Sequence, residues 1–207
     1  MVEVRLLEAV GDRYRLSTRL FELGMRGSVE RRLVEVATPF LADLYERTRE
    51  TVHLGVREHL DVVYISKMGG HGSGEVPSRI GQRLPMYCTA IGKVLLAYAG
   101  DAVVAAVVDH GLRPVGPGTI TDAGELKAQL AEIADSGIAF EREESTAGLT
   151  CVAAPIVVRG RVVAAVSIAG PLYRFMPEMH RVSIKAAADA IGDLLAGSVD
   201  PPSVALT

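Results

Sequence analysis

Tryptophan is absent from this sequence and the other aromatic residues are few, which limits both the core and the range of partners. Aromatic residues make up 5% of the chain, whereas apolar residues of all kinds make up 49%. The core must therefore be aliphatic, and the chain offers no series of aromatic platforms for stacking single-stranded nucleic acid. A net charge of −3 also argues against a general polyanion binder, although residues 1–32 carry seven arginines against five acidic residues.

Cysteine is nearly as scarce, and Cys88 and Cys151 form no CxxC pair. Neither a disulfide framework nor a zinc site is therefore indicated. The five histidines show no HxxxH or HExxH spacing, so we expect no metal and no cofactor. No apolar run approaches the roughly 18 residues of a membrane span, and no signal peptide opens the chain. These absences predict a cytoplasmic protein without a membrane contact.

The most informative stretch, residues 136–171, predicts three consecutive strands. Two long apolar runs, Leu149–Val158 and 161–169, are joined only by Arg159-Gly160, which is a hairpin signal. A shorter strand over 138–143 precedes them. Runs this rich in valine, isoleucine and alanine are buried on both faces, so other elements must cover them. The polar residues Thr150, Cys151 and Ser167 inside these runs, with an acidic segment before them, are typical of a small-molecule pocket.

The rest of the chain mixes hairpin signals with helical periods. Residues 51–57 and Asp61–Met68 predict a second strand pair, and a helix beginning at Ser28 contains Pro39, which is expected to kink or split it. The shorter predicted elements are a hairpin around Gly11-Asp12, a helix over 19–25, a flexible loop over 69–74, a strand over 76–80, a helix over 89–97, a helix capped by Asp101, a helix started by Asp122 and ended by Gly137, and a last helix opened by Pro177. This content predicts an α+β domain with an antiparallel sheet flanked by helices on both faces.

Several short motifs follow one another along the chain: Tyr14-Arg15-Leu16, Leu23-Gly24, Leu84-Pro85-Met86-Tyr87, Thr89-Ala90-Ile91-Gly92-Lys93, Gly137, Glu143-Glu144, Gly148, Cys151, Ala153-Ala154-Pro155-Ile156 and Ser167-Ile168-Ala169-Gly170-Pro171. Taken together and in this order, they resemble the isocitrate lyase regulator (IclR) family of bacterial transcription factors. The chain departs from the family pattern at three positions. Tyr87 stands where histidine is common, Glu141 where aspartate is common, and Ala169 where a second serine is common.

The resemblance implies a domain plan. Residues 1–27 would be the remnant of a winged helix-turn-helix, a wing hairpin with a linker helix, and residues 28–198 a GAF-like effector-binding domain. Residues 199–207 would be a frayed tail. Most of the DNA-binding domain would be missing, so Arg13 and Arg15 would make only weak, salt-sensitive contacts with DNA phosphates.

The resemblance also implies an effector pocket. Its proposed lining is Leu84, Ala90, Ile91, Glu141, Cys151 and Ser167. Purely structural roles for the same residues remain open as alternatives to the effector pocket. Thr89–Lys93 reads either as a capped helix in which Gly92 permits close packing or as a helix N-terminus facing an anionic effector. A buried cysteine is usually a small apolar residue, and the glutamates fit a solvated strand end equally well.

The function that follows is a ligand-responsive transcription regulator, not an enzyme. It would bind a small organic acid, with aromatic acids among the candidates, and act as a homodimer or tetramer on operator DNA through the mostly missing N-terminal domain. Two other hypotheses remain: a GAF-like cysteine-dependent redox enzyme, which requires a reactive thiol, and a purely structural dimerisation module.

Overall fold

A computed structural model describes residues 6–26, 28–69 and 76–197. The predicted glycine-rich loop, from residue 70 onward, and the predicted tail lie outside these residues. The chain divides into two compact units, Met1–Glu35 and Val36–Thr207. Among the described residues, no helix is both long enough and apolar enough to cross a membrane.

The first unit contains the predicted N-terminal hairpin. Strand β1 (Leu7–Val10) pairs with β2 (Arg13–Leu16) in antiparallel register around Gly11. Helix α1 (Thr18–Arg26) follows, and helix α2 (Ser28–Thr48) begins after it. Pro39 lies inside α2, which continues through it as one helix, so of the two predicted outcomes the split does not occur.

The second unit is built on one antiparallel sheet. In the described part of the chain the sheet has the strand order β5-β4-β3-β8-β7-β6. Its strands are β3 (Thr51–Glu58), β4 (Asp61–Met68), β5 (Arg83–Pro85), β6 (Ala139–Arg142), β7 (Leu149–Val158) and β8 (Arg161–Pro171). Its helices are α3 (Ala90–Ala97), α4 (Asp101–His110), α5 (Ala123–Ser136) and α6 (Arg181–Gly197). The α+β class and the antiparallel sheet predicted from the sequence are confirmed.

Helices cover the sheet on both faces, as the length of the apolar runs requires. Successive side chains of a strand point to opposite faces. Ala153 and Ala165 share one buried cluster with Ile91 of α3. The alternate residues Val152, Val166 and Ile168 are also fully buried, on the face against which α6 packs.

Local signals placed most helix ends. The Asp122 carboxylate accepts a hydrogen bond from the Glu125 N–H (2.8 Å), and Gly137 ends α5 in the left-handed conformation at φ 70°. Asp101, by contrast, is the first helical residue and Gly100 is the cap. The predicted strand over 76–80 is wrong: no described residue in that range is in a strand, and the short strand is β5 instead. Pro177 opens a 3₁₀ turn, and α6 starts at Arg181.

Candidate small-molecule cavity

The six residues predicted to line a pocket all line one cavity of about 130 Å³. Leu84 comes from β5, Ala90 and Ile91 from the first turn of α3, Glu141 from β6, Cys151 from β7 and Ser167 from β8. The sequence analysis left out further lining residues, namely His53, Tyr64, Val76, Pro77, Ser78, Gln82, Thr89, Ser145, Thr146, Leu149 and Ala169.

Strand register explains why side chains so distant in sequence meet. Cys151 lies directly opposite Glu141 on one side and Ala169 on the other. Ser167 lies opposite His53 of β3. Because directly paired residues, and residues two positions apart on a strand, share one face, all five side chains face the side of the sheet covered by α3.

Glu141 is the most constrained polar group of the cavity. The residue is 1% exposed, and its Oε1 accepts hydrogen bonds from the N–H groups of Glu144 (2.6 Å) and Ser145 (3.1 Å). Its Oε2 accepts no hydrogen bond from any described residue. Burial raises the pKa of this carboxyl, and the nearby Cys151 thiol and the two N–H groups oppose that shift only in part. A buried acceptor of this kind favours a ligand that donates a hydrogen bond.

The cysteines lack the property that thiol chemistry needs. Burial raises the pKa of the Cys151 thiol well above its usual range, and the Glu141 carboxylate raises it further. Burial, with Glu144 and Glu141 nearby, also raises the pKa of Cys88 to about 12. Because the thiolate is the reactive species, these surroundings disfavour the cysteine-dependent redox enzyme.

His53 forms the opposite end of the cavity. Its Nε2 lies 2.6 Å from Ser78 Oγ, and its ring stacks on Tyr64 with the centroids 4.8 Å apart. Burial, together with the Lys67 charge, lowers the pKa of His53 to about 3, so the ring is neutral. Lys67 Nζ in turn donates to the carbonyls of Val76 (2.8 Å) and Ser78 (2.7 Å), which fixes the segment that closes this end. The only sequence signal was the presence of His53 in an alternating strand.

Thr89–Lys93 forms the capped and closely packed start of α3. Thr89 Oγ1 accepts a hydrogen bond from the Gly92 N–H (3.0 Å), and a Cβ on Gly92 would collide with the Met86 carbonyl. Ala90 and Ile91 nevertheless line the cavity at the first turn, where helical N–H groups have no partner four residues earlier.

Lys93 points elsewhere. Its fully buried ammonium donates to Glu144 Oε1 (2.5 Å) and to Gln129 Oε1 (2.9 Å), which joins α3 to α5 and to the loop after β6.

Other residues singled out from the sequence are not part of the cavity lining. Tyr87 does not line it; its hydroxyl donates to the Arg113 carbonyl (2.8 Å). Arg13 and Arg15 are exposed on β2, and Arg15 pairs with Glu8 at 2.7 Å. Within the described residues, no group of three or more potential ligands is arranged to hold a metal ion.

A larger cleft of about 750 Å³ borders the free edge of β6. It is open to solvent, and Glu141 is the one residue of the predicted six among its lining residues. The smaller cavity therefore remains the better candidate, because apolar walls and a few convergent polar groups surround it.

An antiparallel sheet with a small cavity under one helix is an arrangement suited to a small-molecule-binding domain. Residues 28–193 match the model of the bacterial transcriptional regulator IclR C-terminal family. The chain belongs to the IclR family of bacterial transcriptional regulators.

Named relatives agree with this assignment. The regulator KdgR of Escherichia coli (strain K12) is 36% identical over 173 residues, covering 83% of this chain and 66% of KdgR. XynR of the same organism is 38% identical over 160 residues, covering 75% of this chain and 63% of XynR. The chain thus spans less than two thirds of the length of KdgR and of XynR. Both relatives are HTH-type transcriptional regulators, which points to a non-enzymatic role.

Solved structures show the same fold. An IclR homolog from Microbacterium hydrocarbonoxydans, complexed with 4-hydroxybenzoate, superposes with a TM-score of 0.90 at 35% identity, covering 96% of this chain and 82% of that one. The Thermotoga maritima IclR superposes with a TM-score of 0.80 at 33% identity, covering 94% and 82%.

Proposed function

We propose that this chain is the sensing part of a transcription regulator and that its cavity binds a small organic acid carrying a hydroxyl group. The observation that supports this most strongly is the convergence of Glu141, Cys151 and Ser167 with the first turn of α3 on one cavity. A carboxylate would be held by the N–H groups of that first turn, where the helix dipole favours negative charge. The hydroxyl would donate to Glu141.

The size of the cavity limits the ligand. Its volume is about 130 Å³, and an apolar protein cavity of about 150 Å³ holds one benzene ring. A short-chain acid therefore fits the cavity as it stands, a single substituted ring fits only if the walls move outward, and a disaccharide does not fit. The 4-hydroxybenzoate bound by the Microbacterium relative has the proposed chemistry, a carboxylate and a hydroxyl on one ring.

A thermal-shift screen against benzoate, 4-hydroxybenzoate, glyoxylate and pyruvate tests this proposal. We expect 4-hydroxybenzoate, the hydroxy acid of this set, to stabilise the chain by about 3 kcal/mol at a hundredfold excess over Kd. Glu141→Ala and Ser167→Ala should abolish the shift. Glu178→Ala and Ser183→Ala, which do not line the cavity, serve as matched controls and should keep it.

A screen in which no acid stabilises the chain, with all four variants behaving like the wild type, would remove the pocket assignment. The structural dimerisation module would then be the better hypothesis.

Regulation of transcription requires a DNA-binding domain in addition to the ligand-binding domain. We propose that residues 1–27 belong to a DNA-binding head and linker, that 28–198 sense the ligand, and that 199–207 form a tail. The effector would bind one dimer arrangement more tightly and so change the spacing of the heads on operator DNA in the bacterial cytoplasm.

Arg13 and Arg15 would contact phosphates from the β1–β2 hairpin, without reading bases. Fluorescence anisotropy with an unrelated DNA duplex should show weak binding that disappears with added salt and is reduced by Arg13→Ala. Binding that is unaffected by salt would contradict this role.

A further inference from the structure

An ion pair with a buried carboxylate and a partly exposed guanidinium lies at the junction between α2 and the sheet. Glu50, which is 5% exposed, is one residue before β3 and two residues after α2. Both of its carboxylate oxygens accept hydrogen bonds from the Arg174 guanidinium, Oε1 from Nη1 and Oε2 from Nη2, the second at 3.1 Å. Arg174 lies just after the end of β8 and is partly exposed. The pair therefore connects two segments 124 residues apart in sequence.

A contribution to folding stability does not by itself explain the Glu50–Arg174 pair. Removing a carboxylate from water is costly, and a buried ion pair often contributes no more than apolar residues of the same volume. Burial raises the pKa of Glu50, and the Arg174 charge only partly opposes it. The bidentate geometry, in contrast, fixes the relative position of the two segments.

On the sheet side, the pair continues directly from two strands that line the cavity. Thr51, the residue after Glu50, lies opposite Ala169, and His53 lies opposite Ser167. The next residue of β8, Gly170, has no room for a side chain, because a Cβ there would lie 2.8 Å from Glu50 Oε2. A displacement of β3 or β8 by a ligand must therefore move one partner of the ion pair against the other.

On the helix side, Glu50 is tied to the last turn of α2. Its N–H donates to Thr48 Oγ1 (3.2 Å), and that hydroxyl donates to the Leu44 carbonyl (2.7 Å). The Arg49 N–H donates to the Tyr45 carbonyl (2.7 Å) and closes the helix. A change in the position of Glu50 therefore reaches the C-terminal turns of α2 without passing through solvent-exposed side chains.

We propose that the Glu50–Arg174 ion pair is the joint that couples occupancy of the cavity to the C-terminal half of α2, residues 36–48. This inference rests on the proposed function in one respect, that the cavity takes up a ligand. Glu50 and Arg174 are positioning residues; neither lines the cavity.

Hydrogen exchange of the backbone amides of residues 41–48, with and without saturating 4-hydroxybenzoate, tests the joint. In the wild-type chain, the ligand should change these exchange rates by about fivefold or more, the lower range of measured couplings between sites. Glu50→Gln keeps the shape of the side chain and leaves the partly exposed Arg174 accessible to water. It should bind the acid with a Kd within about twofold of the wild type and lose most of the exchange response.

Two more variants sharpen the test. Arg174→Lys keeps the charge but loses the fork of two hydrogen bonds, and it should also lose the response. Arg47→Gln is the control: it breaks the exposed Arg47–Asp43 pair on the same helix. The ligand should still change the exchange rates of this variant as it does in the wild type.

Retention of the full response in Glu50→Gln, or a wild-type chain that binds the acid without any change in α2, would overturn the joint. Failure of 4-hydroxybenzoate to bind counts against the proposed ligand and not against the joint.

Ala169→Met, which fills the cavity with a side chain, then replaces the ligand. The exchange rates of α2 in Ala169→Met should differ from wild type, and Glu50→Gln added to it should cancel the difference; equal rates in the single and double variants would refute the joint.

Discussion

Residue burial in this domain sets the chemistry of each ionisable group. Lys93, Glu141 and Glu144 are each 5% exposed or less, so one amino group and two carboxyl groups share the interior. Lys93 pairs with Glu144, so Glu141 keeps only backbone N–H donors and the nearby thiol. The cavity therefore contains a carboxyl group that favours its protonated form more than a carboxyl in water does.

The pH dependence of stability should show this carboxyl directly. The pKa of Glu141 is raised above 4.5, so the folded chain binds this proton more tightly than the unfolded chain. The resulting stabilisation is fully present below the unfolded pKa and is lost as pH rises through the folded pKa. Glu141→Gln, which lacks this charge, should be more stable than wild type at pH 8 by on the order of 1 kcal/mol.

Urea unfolding measured between pH 4 and pH 8 checks this expectation. The two free energies of unfolding should converge near pH 4. An advantage of the Gln variant that is constant with pH, or that grows toward low pH, would show that the charge of Glu141 is not its cause.

Cys151 should react slowly with alkylating reagents, because burial raises the pKa of its thiol. In a Cys88→Ser background, alkylation of the native chain by iodoacetamide at pH 8 should be at least about tenfold slower than in urea, because little thiolate is present. The Cys88→Ser/Cys151→Ser chain gives the background rate. Equal rates in the native and unfolded chains would restore the redox hypothesis.

At the scale of elements, α3 is held in place through its N-terminal half. Thr89 caps its start, Gly92 lets it approach the Met86 carbonyl, and Lys93 joins it to α5 and the loop after β6. The residues that fix the helix are therefore the neighbours of the residues that line the cavity, Ala90 and Ile91.

Gly92→Ala should destabilise the domain, because the added methyl group would have to displace backbone atoms. We expect a loss of about 2 kcal/mol or more in the free energy of unfolding, measured in urea. Gly24→Ala in α1 has open space around the new Cβ and should change stability by less than about 1 kcal/mol. A Gly92→Ala chain as stable as wild type would show that the close approach is not required.

At the scale of the whole molecule, we expect a homodimer. The apolar residues Leu20 and Leu23 of α1 are 37% and 49% exposed and, being three positions apart, lie on one helix face that a second copy would cover. Light scattering after size exclusion should give twice the chain mass of 22.0 kDa. Leu23→Lys should shift the mass toward the monomer, whereas Val163→Lys on β8 should not. A wild-type mass of one chain at micromolar concentration would contradict the dimer.

The sequence by itself determined the elements whose signals are local. The hairpin runs, the Asp122 cap and Gly137 predicted β7, β8 and α5 almost to the residue. The motifs around Leu84, Thr89 and Cys151 identified the family and named six residues that line one cavity. The strand over 76–80 failed because its pattern, without a partner strand, does not specify pairing.

Tertiary structure decided everything that depends on pairing between distant segments. Register placed His53 beside Ser167, the packing of α3 directed Lys93 away from the cavity toward Glu144, and the turn after β8 brought Arg174 to Glu50. No local sequence pattern predicts these contacts, because the partners lie between 51 and 124 residues apart. They come together only when the strands and helices of the domain pack. Burial in the folded domain then shifts the pKa values of Glu141, Cys151 and His53. These shifts cannot be predicted from the composition or from a motif, because burial depends on the tertiary structure.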